Sequence, residues 1–381
     1  MKSFFTFIII SFVFVCFGGP GNYYNSIDTN QSCANLKTQL FHLLESNTTV
    51  LVYSQVDNYY NRTDLKPSEI GGGDAIVDRY CTENPNGVDY CVFRYPAGFC
   101  LTAPPDTNQC DCYNKEHVFP KSWFGLTYPA YSDIHFIWPA DNRVNYYKSN
   151  FPIGYAKNVY FTSKNGSNVG VSDGSKNFGY TSSNVFEPID SFKGDFARAY
   201  LYVVTRYEDS LVSWQHRSTA NDVLSGNTYP GFDPWILQLC VKWAKLDPPS
   251  VFEQKRNDSV YAIQGNRNPY IDHPNWVEKV FGVNGNSGSC AVSAVKVIKH
   301  SDFNLYPNPA NNGIVQIQLS NFLTEPAELK VIDVLGSMHL SDIVPANITT
   351  HSLNISALPK GMYWVQISYK TDISAVPLII Q

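Results

Sequence analysis

The pair Glu116-His117 is followed along the chain by Ser132-Asp133-Ile134-His135 and then by Asp141-Asn142-Arg143-Val144-Asn145. An imidazole thus stands beside a carboxylate, and the Asn145 amide supplies a second polar oxygen further on. Imidazole titrates near neutral pH and can take a proton from water. Carboxylate and amide oxygens are hard donors suited to Mg²⁺ or Ca²⁺, ions that keep several coordination positions for water and phosphate oxygens. Together these groups meet the needs of phosphodiester hydrolysis, which are a water made nucleophilic and charge neutralised on the phosphate and the leaving oxygen. Consecutive residues on a regular strand face opposite ways. Glu116 and His117 can therefore share one site only where a strand ends or twists, and taken alone they would read as a surface pair.

Elements able to position these groups follow from local signals. An extended segment ends near Glu116-His117, residues 133–138 read as a second short strand, and Pro139-Ala140-Asp141 as a turn and N-cap. The helix beyond carries Val144 and Asn145. The order is strand, loop, strand, helix, with Asn145 one turn into the helix and able to point back at the end of the first strand. Asp133 and His135 would share one strand face, which favours a supporting hydrogen-bonded pair over direct metal ligation. Leu36, Leu40, Leu43 and Leu44 recur at helical spacing behind Ser32, as do Phe196, Ala199, Tyr200, Val203, Val204 and Tyr207. A further helix over residues 235–246 stops before Pro248-Pro249, and Ser250 with Glu253 forms a capping box that starts one running to about Ile263. Residues 60–115, rich in Gly, Pro, Asn and Cys, read as a long stapled loop region. The expected picture is helix-rich around a small two-stranded centre.

Met1-Lys2, the apolar residues 4–17 and Gly18-Gly19-Pro20 form the charged start, apolar run and small-residue exit of a cleaved secretory signal over residues 1–19, with an uncleaved anchor as the alternative. No later stretch reaches the roughly 20 apolar residues of a spanning helix. Nine cysteines occur, and beyond Cys16 in the signal they are Cys33, Cys81, Cys91, Cys100, Cys110, Cys112, Cys240 and Cys290. An even set in an exported chain favours disulfides, of open connectivity, although Cys110 and Cys112 are too close to pair with each other. A zinc site competes with that reading, but no Cys-x-x-Cys pair repeats at ligand spacing. The formal net charge of −5 argues against a highly basic nucleic-acid coat protein, while leaving room for an enzyme whose cleft alone is basic.

After Gly285-Asn-Ser-Gly-Ser289 the pattern changes. Val315, Ile317 and Leu319 alternate with polar residues, and Leu329/Val331, Leu353/Ile355 and Tyr363/Val365/Ile367 repeat that period of two. This predicts a small all-β sandwich.

Four motifs in order, Glu116-His117-Val-Phe-Pro120-Lys-Ser-Trp123, Asp133-x-His135, Pro139-Ala-Asp141-x-x-Val-Asn145 and Gln264-Gly-Asn-Arg267-Asn-Pro269-x-x-Asp272, make residues 20–283 resemble the bacterial endonuclease I family of ββα-metal (His-Me finger) nucleases. The resemblance implies His117 as general base, with Glu116 and Asn145 holding one divalent metal, Mg²⁺ foremost and Ca²⁺ or Mn²⁺ as alternatives. It further implies a secreted, largely sequence-nonspecific endonuclease on DNA, with RNA as a further substrate, leaving 5′-phosphate ends. Reading the backbone rather than base edges accounts for nonspecificity. The family often carries a polar His or Asn after the histidine of the second motif; here Phe136 follows His135, which weakens a phosphate contact at that position. Arg143, Arg256 and Arg267 are candidates for phosphate, Arg267 foremost, because the guanidinium fork matches phosphate oxygens; each could equally be an ion-pair partner. Gln264 and Asn266 are expected to fix their loop, and Asp141 to cap a helix.

The tail has its own resemblance. Phe303-Asn-Leu-Tyr306-Pro307-Asn308-Pro309-Ala310, Val334-Leu-Gly336 and Leu358-Pro-Lys-Gly361-x-Tyr363 are similar to the C-terminal sorting domain of type IX secretion substrates, with a carbohydrate-binding or adhesive sandwich as the alternative. The expected organisation is an α+β chain: signal 1–19, nuclease domain 20–285 built around a ββα-metal motif, linker 286–300, and sorting β-sandwich 301–381. Expected partners are nucleic acid and the type IX secretion machinery, for a monomer that is secreted or held at the cell surface. Competing functions are a catalytically silent surface-binding protein on the same scaffold, whose mark would be loss of Glu116, His117 or Asn145, and a phosphodiesterase on small substrates.

Overall fold

A computed structural model describes residues 19–46, 48–68, 71–81, 90–100, 108–217, 220–282, 303–311, 313–319, 323, 325–333, 337–369 and 372–381. Residues 1–18 of the expected signal, the expected linker with Cys290, and Val334-Leu335-Gly336 lie outside the described residues. The chain divides into two compact units at residues 292/293.

In the first unit the elements run α1 (Cys33–Ser46), α2 (Tyr60–Thr63), β1 (Leu65–Pro67), β2 (Asp74–Ile76), β3 (Tyr113–His117), α3 (Lys121–Phe124), β4 (Ile137–Asp141), α4 (Asn142–Lys148), β5 (Ala156–Thr162), β6 (Asn168–Ser172), β7 (Asn184–Glu187), α5 (Lys193–Arg206), α6 (Leu211–Trp214), α7 (Pro234–Leu246), α8 (Val251–Gln264), α9 (Pro269–Asp272) and α10 (Trp276–Phe281). Leu36, Leu40 and Leu44, spaced by four, are buried along one stripe of α1, as helical periodicity requires. Every residue of α5 is buried, which makes it the central helix of this unit. Its charged residues survive burial by pairing. Arg198 Nε donates to Glu253 Oε1 of α8 at 2.7 Å, and Asp195 Oδ2 accepts from Arg79 Nε at 2.8 Å. Ser250 caps α8 by accepting from the Glu253 amide, and Gly265 ends that helix at φ 88°, a left-handed conformation glycine adopts without a Cβ penalty.

Strands β3 and β4 pair antiparallel, from Tyr113 opposite Asp141 to His117 opposite Ile137. The second strand therefore begins four residues later than its alternation suggests. Asp133 and His135 sit in a turn that leads into it, and Pro139-Ala140 belong to the strand rather than to a turn. The two-stranded centre is also not the whole β content of the unit. Strands β5, β6 and β7 form an antiparallel sheet in that order. Its runs escape periodicity because Val159 and Tyr160 are solvent-exposed and the β5–β6 register shifts between Lys157 and Phe161.

Cys91–Cys110 and Cys100–Cys112 are disulfides that staple the loop region in front of β3. Cys81 and Cys240, expected within the paired set, are free and buried. Buried cysteine behaves as a small hydrophobe, and Cys240 is packed in the main core.

The second unit contains β8 (Phe303–Tyr306), β9 (Ile314–Leu319), β10 (Ala327–Asp333), β11 (Met338–Val344), β12 (Thr350–Asn354), β13 (Gly361–Tyr369) and β14 (Asp372–Ile380). One sheet has the order β11-β10-β13-β14 and the other β12-β9-β8. Val315 and Ile317 from one and Leu329, Val331 and Val365 from the other share a core, so the alternating residues bury as the period of two demands.

Candidate active site

Glu116 and His117 are the last two residues of β3, and beyond them the chain leaves the strand for Pro120 and α3. The strand end removes the alternation problem. Both residues line one cleft of about 350 Å³ together with Asn145, Lys121 and Asn150.

Asn145 reaches this cleft because α4 starts where β4 stops. Asp141 Oδ1 accepts from the amides of Arg143 and Val144 at 2.9 and 3.0 Å, capping the helix, while its Oδ2 accepts from the Cys110 amide. Asn145 Nδ2 donates to Asn114 Oδ1 at 2.8 Å, and Asn114 Nδ2 in turn donates to Asn142 Oδ1. With the amides in this arrangement the oxygen end of Asn145 is the one left over. Its Oδ1 accepts no hydrogen bond from any described residue. Glu116 Oε1 accepts from Lys148 Nζ at 2.6 Å, from the last turn of the same helix, and Lys148 is fully buried. Glu116 and Asn145 thus each bring a hard oxygen to the lining of one cleft, a donor set that suits a divalent cation with water and phosphate as its remaining ligands. Burial pushes the Glu116 carboxyl above its ordinary value, and Lys148 and Lys121 oppose that rise.

His117 lies against aromatic rings, at 5.5 Å and 16° from Tyr53 and 5.6 Å and 9° from Tyr131. Phe136, at the position where the family often carries a polar residue, forms part of the wall behind the imidazole. His117 Nε2 lies 3.1 Å from the Tyr131 carbonyl. A carbonyl only accepts, so in the neutral ring Nε2 carries the proton and Nδ1 keeps its lone pair. Burial lowers the His117 pKa to about 4, so the ring is an unprotonated base at neutral pH.

The other candidate residues are not among those that line this cleft. Asp133 accepts from Tyr202 and Tyr207 hydroxyls, both at 2.8 Å, and from Gln264 Nε2 at 2.7 Å. Gln264 Oε1 takes the Ile134 amide, Asn266 Nδ2 donates to the Tyr202 hydroxyl, and the Asn266 carbonyl pairs with His135 Nε2. This buried network ties the turn before β4 to the loop after α8. The space beside His135 is about 10 Å³, room for one water at most. Arg256 donates to both oxygens of Asp64 and to the Ile134 carbonyl. Arg267 forks onto Asp272 and pairs with Asp258. Arg143 donates to the Tyr147 hydroxyl and lies over that ring. Lys148, Asn114 and Tyr131 are not among the residues that the sequence singles out. Lys148 has a usable signal, since three residues after Asn145 on a helix is the same face.

With this geometry, comparison with known proteins defines the class: a nuclease, a hydrolase of phosphodiester bonds. Residues 32–275 match the family model for Endonuclease I, and the chain belongs to that family, whose members point to dependence on a divalent metal. Residues 304–381 match the secretion system C-terminal sorting domain, which makes this a secreted or cell-surface protein and implies the type IX machinery as a partner. An extracellular ribonuclease of Bacillus amyloliquefaciens is 31% identical over 260 residues, covering 66% of this chain and 76% of its own. An extracellular ribonuclease of Bacillus subtilis (strain 168) is 30% identical over 272 residues, covering 69% and 81%. A solved fn3 domain of human collagen alpha-1(XX) covers 25% of this chain and 87% of its own at 13% identity, with a TM-score of 0.18 that carries no argument. No described helix is long and apolar enough to cross a membrane.

Proposed function

We propose that this protein is a divalent-metal-dependent, largely sequence-nonspecific endonuclease that cleaves DNA, and RNA as well, to 5′-phosphate ends. The observation that carries the reading is the combination at one cleft of a neutral imidazole, held through Nε2 by the Tyr131 carbonyl, with the hard oxygens of Glu116 and Asn145. The names of the two ribonuclease relatives support RNA as a substrate.

In this mechanism His117 Nδ1 accepts a proton from a water in the cleft as the water oxygen attacks phosphorus. The P–O3′ bond breaks, and the departing oxygen takes its proton from solvent. The Tyr131 carbonyl holds the imidazole tautomer and disperses the charge that His117 gains. Asn114 and Lys148 hold Asn145 and Glu116 in place. A divalent ion held by Glu116 and Asn145, Mg²⁺ foremost with Ca²⁺ or Mn²⁺ as alternatives, would neutralise charge on the phosphate and the leaving oxygen. Contacts to phosphate and metal read the backbone rather than base edges, which fits nonspecific cleavage.

The same reading assigns residues 20–285 to catalysis, 286–300 to a linker and 301–381 to sorting, after removal of residues 1–19, in a monomer. Cleavage of plasmid DNA and of a structured RNA by the purified protein, with Mg²⁺ and with excess chelator, tests it. Cleavage that persists in chelator contradicts the metal role, and absence of cleavage on both substrates contradicts the function.

A further inference from the structure

A nuclease must also meet the charge of the phosphates it holds, and the candidate arginines of this chain are committed elsewhere. Arg256 and Arg267 are buried in carboxylate pairs, and Arg143 lies on Tyr147. Among the lysines near the cleft, Lys115 Nζ is 2.7 Å from Asp57 and 4.8 Å from the Tyr53 ring centre, and Lys148 is bound to Glu116. Lys121 differs from both. It lines the cleft with Glu116, His117 and Asn145, its side chain is exposed, and no described carboxylate lies within ion-pair distance of it. Its backbone is held firmly, because Trp123 and Phe124 of the same short helix are buried in the main core and pack against Phe119. Its helix begins four residues after His117, and both residues line the same cleft.

We propose that Lys121 is a substrate-binding residue whose ammonium pairs with a phosphate of the nucleic-acid strand in this cleft, meeting the charge that grows there during cleavage. The inference rests on the nuclease reading above. An ammonium acts on phosphate as a point charge with rotatable donors, so it needs only proximity and the absence of a competing anion. Among the described residues both conditions hold for Lys121. In a protein of net charge −5, Lys115 is balanced by Asp57 and Glu116 by Lys148, so Lys121 is the charge that the described residues of this cleft leave for a phosphate.

The test uses the full secreted chain, plasmid DNA as substrate, and the Lys121→Gln, Lys121→Arg and His117→Ala variants over a range of NaCl. Lys121→Gln is expected to lower kcat/KM at low salt by about 10–100-fold, below the roughly 10²–10³ for loss of an enclosed donor to developing charge because the Lys121 side chain is exposed. It should also reduce the slope of log kcat/KM against log salt by about one unit, the signature of one lost phosphate contact. Lys121→Arg should keep most activity, and the Mg²⁺ midpoint and thermal unfolding midpoint should not move. Activity of Lys121→Gln within twofold of wild type overturns the proposal, as does a loss with an unchanged salt slope or with a shifted Mg²⁺ midpoint. If wild type fails to cleave, or His117→Ala cleaves as well as wild type, the nuclease reading itself falls and this inference with it; a silent Lys121→Gln beside an inactive His117→Ala overturns the Lys121 assignment alone.

Discussion

Lys148 Nζ lies 2.6 Å from Glu116 Oε1, and the ammonium is fully buried beneath a carboxylate that opens on the cleft. The last turn of α4 thus grips the end of β3, and the two elements that bring Glu116 and Asn145 together are locked by an ion pair as well as by backbone. Removing one partner of a buried pair leaves the other charge uncompensated. Lys148→Met should therefore lower the unfolding free energy by about 3 kcal/mol, toward the lower end for such pairs because Glu116 borders water. Urea denaturation measures this. A loss below about 1 kcal/mol, the level of a surface pair, would show that the contact does not hold the two elements.

Asn114 is the sole described residue that orients the Asn145 amide through its side chain. Partners that orient a metal ligand typically contribute about 10–100-fold to metal affinity or activity. Asn114→Ala should raise the Mg²⁺ concentration for half-maximal cleavage by about that factor while secondary structure is retained. An unchanged Mg²⁺ titration would mean that Asn145 needs no such support.

His135 provides a pH-dependent stability term. Burial lowers its pKa to about 4, against an ordinary value near 6.5. Below pH 6.5 the unfolded chain binds a proton that the folded chain refuses until about pH 4. The contribution is fully present above pH 6.5 and is lost as pH falls through that window, by roughly 1.4 kcal/mol per pH unit. His117 adds a term of the same sign. In His135→Asn the drop in unfolding free energy between pH 7 and pH 5 should shrink by about 2 kcal/mol relative to wild type. Equal drops in the two proteins would show that His135 is protonated in the folded state at pH 5.

The disulfides Cys91–Cys110 and Cys100–Cys112 close the loops that lead into β3, and the Cys110 amide donates to the Asp141 cap. Loop closures of this size stabilise by about 2–4 kcal/mol. Strong reduction should therefore depress cleavage, and reoxidation should restore it. Alkylation followed by peptide mapping should find Cys81 and Cys240 modified only after unfolding, since both are buried thiols. Rapid modification of either in the native protein would contradict that packing.

Devices that depend on residues within a turn or two are legible in the amino-acid sequence. The Asp141 cap, the Ser250 cap of α8 and the alternation of the tail are of this kind and form as expected, whereas the Glu253 carboxylate goes to Arg198 instead of closing the box and α5 is buried on all sides rather than along one stripe. Legibility ends where distant partners decide. The alternation after Asp133 resembles a strand, but bonds from Tyr202, Tyr207 and Gln264 hold Asp133 in a turn. Arg256 pairs with Asp64, far away in sequence, so no local pattern can separate an ion pair from a phosphate contact. The small sheet of β5, β6 and β7 escapes notice because a register shift and exposed apolar residues erase its period. Glu116 and His117 can share a site only because β3 ends at His117, and the pairing with β4 that fixes this end is a contact between segments.

The mechanism turns on His117 Nδ1 taking the proton of the attacking water. Loss of a positioned general base typically costs about 10²–10⁴ in rate. The direct measurement is kcat of His117→Ala on plasmid DNA with saturating Mg²⁺, alongside DNA binding and unfolding of the same variant. A fall of that size with binding and fold retained is the expected result; cleavage within twofold of wild type would contradict the role of His117 as the base.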